Sequence, residues 1–235
     1  GLLGSGLVLR NNGGNDLAIT ADGAFTFSAA VVSGTPFAVS VRTPPSNPSQ
    51  TCTVNGGSGS RASAVTNVSI ECVVNSFTVG GGISNLRGTG LALQINGGEI
   101  VSPSGSNFVF PTAIPSGRAY SVVVTGQPTN PHQTCSPSAA GGTVTNANVT
   151  SISVACVTNT YTVSGTVTGV LGSGLVLRNN AGNPVVVTGD GPFTFPDRSA
   201  SGDGYFVSAF SHPTNPAQEC AIVDGRGTVV SSPIT

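Results

Sequence analysis

The sequence predicts an all-β chain of three small β-sandwiches in tandem. Three observations carry that expectation. One segment recurs at a spacing of 84 residues, the apolar runs are short and alternate at period two, and turn-forming clusters separate them. No stretch shows a 3.6-residue apolar stripe. Composition agrees. The 235 residues include 33 Gly and 16 Pro, and only 7% are charged, against roughly 25% in an ordinary soluble domain. Hydrophobic content of 38% is too high and too regularly placed for disorder.

The repeat organises everything else. Gly4-Ser5-Gly6-Leu7-Val8-Leu9-Arg10-Asn11-Asn12 returns unchanged as Gly172 to Asn180, and Gly88-Thr89-Gly90-Leu91-Ala92-Leu93-Gln94 lies midway. Phe25-Thr26-Phe27 returns as Phe108-Val109-Phe110 and Phe193-Thr194-Phe195. Gly34 with Phe37 returns as Gly117 with Tyr120 and Gly202 with Tyr205. Pro45-x-Asn47-Pro48-x-Gln50-x-Cys52 returns as Pro128 to Cys135 and Pro213 to Cys220. The expected modules are residues 1–75, 76–159 and 160–235. The first lacks its opening strand and the third its closing strand. Two explanations compete: an excerpt of a longer array, or broken ends completed by strand donation between neighbouring copies. The missing initiator Met and signal peptide favour a mature or excerpted chain, and the excerpt is ranked first.

Within a module the order is strand, turn, strand. Phe77-Thr-Val79 and Tyr161-Thr-Val163 open it, alternating at period two, as do Phe37, Val39 and Val41 further on. Asn12-Gly13-Gly14-Asn15, Asn96-Gly97-Gly98, Asp22-Gly23 and Asp190-Gly191 supply the turns. A module this small is marginally stable without a staple.

Cysteine supplies one. Cys52 and Cys72 are 20 residues apart, and Cys135 and Cys156 are 21 apart. Val68, Ile70 and Cys72 share one parity, as do Ile152, Val154 and Cys156, which turns the thiols to the buried face. One disulfide per module is expected, Cys52–Cys72 and Cys135–Cys156, each contributing roughly 3 kcal/mol. Cys220 is left unpaired in this chain. Metal binding is disfavoured, because there is no C-x-x-C and no His beside a Cys. Disulfides imply an oxidising compartment.

Tyr161-Thr-Val-Ser-Gly-Thr-Val-Thr-Gly169, Leu175-Val-Leu177, Gly189-Asp-Gly-Pro-Phe-Thr-Phe195 and Tyr205-Phe-Val207 together resemble the carboxypeptidase-regulatory-like, transthyretin-like (prealbumin) Ig-like sandwich. Copy two departs from the pattern with Gly105-Ser106-Asn107 ahead of its Phe pair. The cysteine-bearing final third is similar to tandem repeats of bacterial secreted surface proteins. The resemblance implies spacers or adhesive elements with no active site of their own, and so speaks to architecture more than function.

Catalysis needs convergent titratable groups, and the chain offers almost none. His132 and His212 fall at non-equivalent places in their modules and read as exposed loop residues, with Ser49 and Gln127 standing at the matching positions elsewhere. All eight positive charges are Arg, so no P-loop, Schiff base or lysine crosslink is available. Gly172-Ser-Gly174 mimics a dinucleotide loop without its third Gly or helix. Calcium would need clustered oxygen ligands, and the linkers Val73-Val-Asn-Ser76 and Val157-Thr-Asn-Thr160 carry no carboxylate. Asp22 and Asp190 read as turn residues. Asn67-Val-Ser69 and Asn148-Val-Thr150 fit a glycosylation acceptor but sit at unequal places, which favours coincidence. No catalytic residue, cofactor or metal is expected. A net charge of −1 excludes a nucleic-acid footprint, and no apolar run of about 18 residues spans a membrane.

The remaining contact candidates are the Pro-Asn-Pro loops: Asn47, Pro48, Asn130, Pro131, Asn215 and Pro216, which read as turn initiators before the cysteine strand. Short, Gly-free linkers favour a stiff rod of stacked modules. The leading expectation is a non-enzymatic extracellular structural protein, a fibre, stalk or sheath on a bacterial surface. It would associate with itself, head to tail or laterally. One rival is an adhesin gripping glycans or a host surface through the Pro-Asn-Pro loops, disfavoured by three Tyr and no Trp. The other is an accessory spacer of a larger secreted enzyme.

Overall fold

The computed structural model describes residues 1–60 and 63–235, and every regular element among them is a β-strand. The chain is all-β, with sheets layered in a sandwich-like manner. Copy two shows the layout in full. One sheet runs in the order Asn107–Pro115, Ser76–Ser84, Val149–Thr158, Gln133–Ser138. The other runs Gly141–Thr143, Ala119–Gly126, Ala92–Ile95, Ile100–Val101. The opening strand Ser76–Ser84 lies parallel to the closing strand Val149–Thr158, and the other pairings are antiparallel.

Period-two alternation puts a core between these sheets. Phe108 and Phe110 turn inward while Val109 between them faces solvent. Ile152, Val154 and Cys156 do the same between exposed Ser153 and Ala155. Val79, Leu93, Phe110, Val144 and Val154 are all completely buried. Each such side chain contributes about 1.5–3 kcal/mol on burial.

The other two copies form clusters of their own. Leu7, Leu9 and Cys72 anchor the first, and Val163, Leu175, Leu177, Phe195 and Val229 the other. Copy three has the sheet Gly182–Val187, Leu175–Asn179, Gly204–Ser211, Arg226–Thr228. Its opening segment pairs as Thr160–Tyr161 with Ser199–Ala200 and as Ser164–Val167 with Gly191–Thr194. Ile234 bridges Val163 in parallel, as Val149 bridges Val79 in copy two. Copy one repeats the sheet as Asn15–Ile19, Leu7–Asn11, Pro36–Thr43, Ser58–Ser60. Opposite it, among the described residues, Gln50–Asn55 pairs with Ser69–Val74. Phe25-Thr26-Phe27 lies outside any strand there, whereas Phe108–Phe110 pairs with the strand Ser76–Ser84.

The turns explain the asparagine-glycine runs. Asn96 and Gly97 take φ values of 50° and 68°, and Asn12 and Gly13 take 48° and 72°. Two successive positive φ values are the tight-hairpin geometry that Asn-Gly tolerates. Copy three places Asn180 and Ala181 there, with φ of 51° and 63°. A Cβ in that region costs about 1–2 kcal/mol, partly offset by the extra freedom glycine brings to the unfolded chain. Ala181→Gly is therefore expected to stabilise copy three by about 1 kcal/mol, read as a higher urea midpoint at unchanged slope.

Candidate functional site: the junctions between copies

The Pro-Asn-Pro loops are built the same way three times. The peptides Asn47-Pro48, Asn130-Pro131 and Asn215-Pro216 are cis, and each Asn has positive φ. Each loop backs onto a glycine: a Cβ at Gly4, Gly88 or Gly172 would strike the carbonyl oxygen of Pro48, Pro131 or Pro216. This close approach is why the Gly-x-Gly run begins with Gly.

A glutamine locks each loop from behind. Gln133 is 1% exposed; its Oε1 accepts the N–H groups of Arg87 (2.7 Å) and Gly88 (2.8 Å), and its Nε2 donates to the Asn85 carbonyl (2.8 Å). Gln50 does the same with Leu3, Gly4 and Gly1, and Gln218 with Leu171, Gly172 and Gly169. Sequence reasoning assigned this residue no role. Its invariance within the repeated Pro-x-Asn-Pro-x-Gln motif was the available signal.

The first two loops also meet the following copy. The Ser49 N–H donates to Ser116 Oγ (2.8 Å), which in turn donates to the Thr145 carbonyl. The Ser116 N–H donates to the Asn75 carbonyl (2.8 Å), and the Asn75 N–H to the Ser49 carbonyl (2.9 Å). At the next junction His132 replaces Ser49, Ser201 replaces Ser116 and Asn159 replaces Asn75. The distances are 2.9 Å for His132 N–H to Ser201 Oγ, 2.8 Å for Ser201 N–H to Asn159 and 3.0 Å for Asn159 N–H to His132. Ser116 and Ser201 are both buried. Pro48 packs over Gly117 and Pro131 over Gly202, where an added Cβ would come to 3.4 and 3.3 Å from the ring carbon. The loops carrying Asn47, Pro48, Asn130 and Pro131 are thus engaged between copies. In the third loop, Asn215 and Pro216 are exposed.

The histidines have structural places. His132 is half-buried at the junction. His212 accepts the Cys220 N–H on Nδ1 (3.2 Å), much as Gln127 accepts the Cys135 N–H (2.7 Å) in copy two. Cys52–Cys72 and Cys135–Cys156 are disulfides joining directly opposed residues of paired strands. Cys220 is a free, half-buried thiol. Replacing Cys135 and Cys156 together by Ser is expected to cost roughly 3 kcal/mol, measured by chemical unfolding under matched redox conditions.

Asp22 and Asp190 do more than turn the chain. Asp190 accepts the Val170 N–H (2.7 Å), and Asp22 the Leu2 N–H (2.8 Å). Backbone hydrogen bonds from Gly169 and Val170 hold the Asp190 carboxyl below its ordinary pKa. A pKa lowered on folding means the contribution is complete above the unfolded value of about 3.9 and is lost as pH falls through the folded one. Hydrogen-exchange protection of the Val170 amide should accordingly be flat near neutrality and collapse only in strong acid. Asp190→Asn should remove the pH dependence.

Among the described residues, no three His, Cys, Asp or Glu side chains lie close enough together to hold a metal ion. Nor is any helix among them long and apolar enough to cross a membrane. No protein-family model matches the chain, and no curated protein matches it in sequence.

Proposed function

We propose that this chain is a non-enzymatic, extracellular structural protein. Its three prealbumin-like, Ig-like modules would stack into a stiff rod serving a surface fibre, stalk or sheath. The observation that carries this reading is the junction relay, which recurs with the same geometry at Asn75–Ser116–Ser49 and Asn159–Ser201–His132. Each junction fixes a four-residue linker by backbone hydrogen bonds on both sides, and each such bond contributes about 1 kcal/mol net. Two copies joined in this way have little freedom to bend. The two disulfides support an oxidising, extracellular setting.

Small-angle X-ray scattering on the whole chain tests this. A rod-like profile is expected, and the double variant Ser116→Ala, Ser201→Ala should shorten the maximum dimension by loosening both joints. A compact profile for the unaltered chain would overturn the reading. Electron microscopy with and without reductant would show whether rods associate into filaments.

A further inference from the structure

The segment Gly4–Asn12 and its unchanged repeat Gly172–Asn180 place an arginine at the same point of the same sheet, Arg10 in copy one and Arg178 in copy three. Their surroundings differ. Arg10 donates from Nε to Asp16 Oδ1 (2.6 Å) and from Nη2 to Oδ2 (3.1 Å), and Arg42 closes on the same carboxylate. In copy three Pro184 stands at the Asp16 position and Phe210 at the Arg42 position. Arg178 lies over the Phe210 ring, with its guanidinium carbon 3.2 Å from the ring centroid. Its Nε is buried without a hydrogen-bond partner, and among the described residues it makes no ion pair.

The face around Arg178 is apolar and positively charged. Phe206, Phe210 and Val186 are exposed on it. Phe206 and Phe210 share one face of the strand Gly204–Ser211, about 13 Å apart at the rise of a strand. Ser208, between them, is opposite Arg178, and Phe206 is opposite Arg226, which puts both arginines on that same face. The four strands of this sheet carry these two Arg and no Asp or Glu. Openness here is a property of the repeat. In copy two, which has a copy on either side, the matching Ser121, Val123 and Thr125 are exposed as well. Copy three differs in what it displays there: aromatic rings and unpaired cations.

We infer that this outer face of copy three is a binding site for an acidic polysaccharide, one whose sugar rings carry carboxylates. Copy one supplies the precedent for the carboxylate. This arginine position takes one through a two-pronged hydrogen bond there, and copy three keeps the arginine without it. Stacking on Phe210 holds the weakly hydrated guanidinium in place, which suits it to pair with a ligand's carboxylate. Phe206 and Phe210 offer apolar ring surface to the C–H faces of sugars, and their separation fits an oligomer better than a single ring. Arg226 adds a second cation beside Phe206. An acidic peptide fits less well. Arg178 and both Phe stand on the two central strands, where no sheet edge is free to pair with a peptide backbone. This inference does not depend on the rod reading.

Isothermal titration of the whole chain with a galacturonic-acid hexamer tests the site, beside a neutral glucose hexamer and a glutamate hexamer. Saturable binding of the galacturonate hexamer and of neither other is expected, weakening as salt rises. Arg178→Gln and Phe210→Ala should each weaken it at least about tenfold, roughly 1.4 kcal/mol. Arg178→Lys should not restore it, since an ammonium keeps the charge and loses the fork. Arg118→Gln, an equal loss of charge in copy two, should leave it unchanged. Absence of saturable binding, equal binding of the neutral hexamer, equal or tighter binding of the glutamate hexamer, or an equal loss in Arg118→Gln would each overturn the site.

Discussion

Phe110→Ala is expected to cost about 4 kcal/mol, Phe195→Ala about the same, and Phe27→Ala roughly half as much. The three residues hold one position of the repeat and differ only in what covers them. Phe110 is completely buried and Phe195 is 1% exposed, while Phe27 is half-buried on the rim of an open groove. Phe110 stands opposite Val79 of the opening strand and meets Phe108 edge to face at 5.8 Å. Truncation there removes the transfer free energy of the ring and leaves a cavity that two paired strands cannot collapse. Around Phe27 one wall is missing, so water replaces the ring at lower cost. Hydrogen exchange resolved by copy gives the three values separately. A Phe27 cost equal to that at Phe110 would mean the groove is closed in solution.

The all-β class was legible because it rests on local rules: alternation at Phe37, Val39 and Val41, and Asn-Gly at positions that need positive φ. The two disulfides were legible because the parity of Val68, Ile70 and Cys72 shows which face a thiol takes, and closely opposed strands then leave few partners. The junctions were harder to read. Ser116 and Ser201 look like ordinary loop serines, and only the fold brings them to Ser49 and His132, 67 and 69 residues away in sequence. The Pro-Asn-Pro loops were legible as turns, but their engagement with Gly117 and Gly202 was not, since a contact between copies leaves no periodic trace in either. His132 and His212 illustrate the same limit: composition marks them as isolated, and their backbone partners appear only in three dimensions.

Gln133→Ala should lower stability by about 4 kcal/mol, as much as losing a buried ring, although it removes only one polar side chain. The primary amide offers an acceptor oxygen and two N–H donors at one side-chain end. Here it uses both, toward the buried Gly88 N–H and the partly buried Arg87 N–H and Asn85 carbonyl. Each buried group left unpaired costs about 1–3 kcal/mol. Three are orphaned at once in a segment already pinned by the close approach of Gly88 to Pro131. Gln133→Glu separates this account from simple loss of volume. It keeps the acceptor for Arg87 and Gly88 but turns a carboxylate oxygen toward the Asn85 carbonyl, so the variant should be worst at neutral pH and recover on acidification, when a protonated carboxyl can donate. Gln218→Ala, at a half-buried site, should cost less than half as much. Equal losses at Gln133 and Gln218, or a Glu variant indifferent to pH, would show that the glutamine fills space instead of satisfying the backbone.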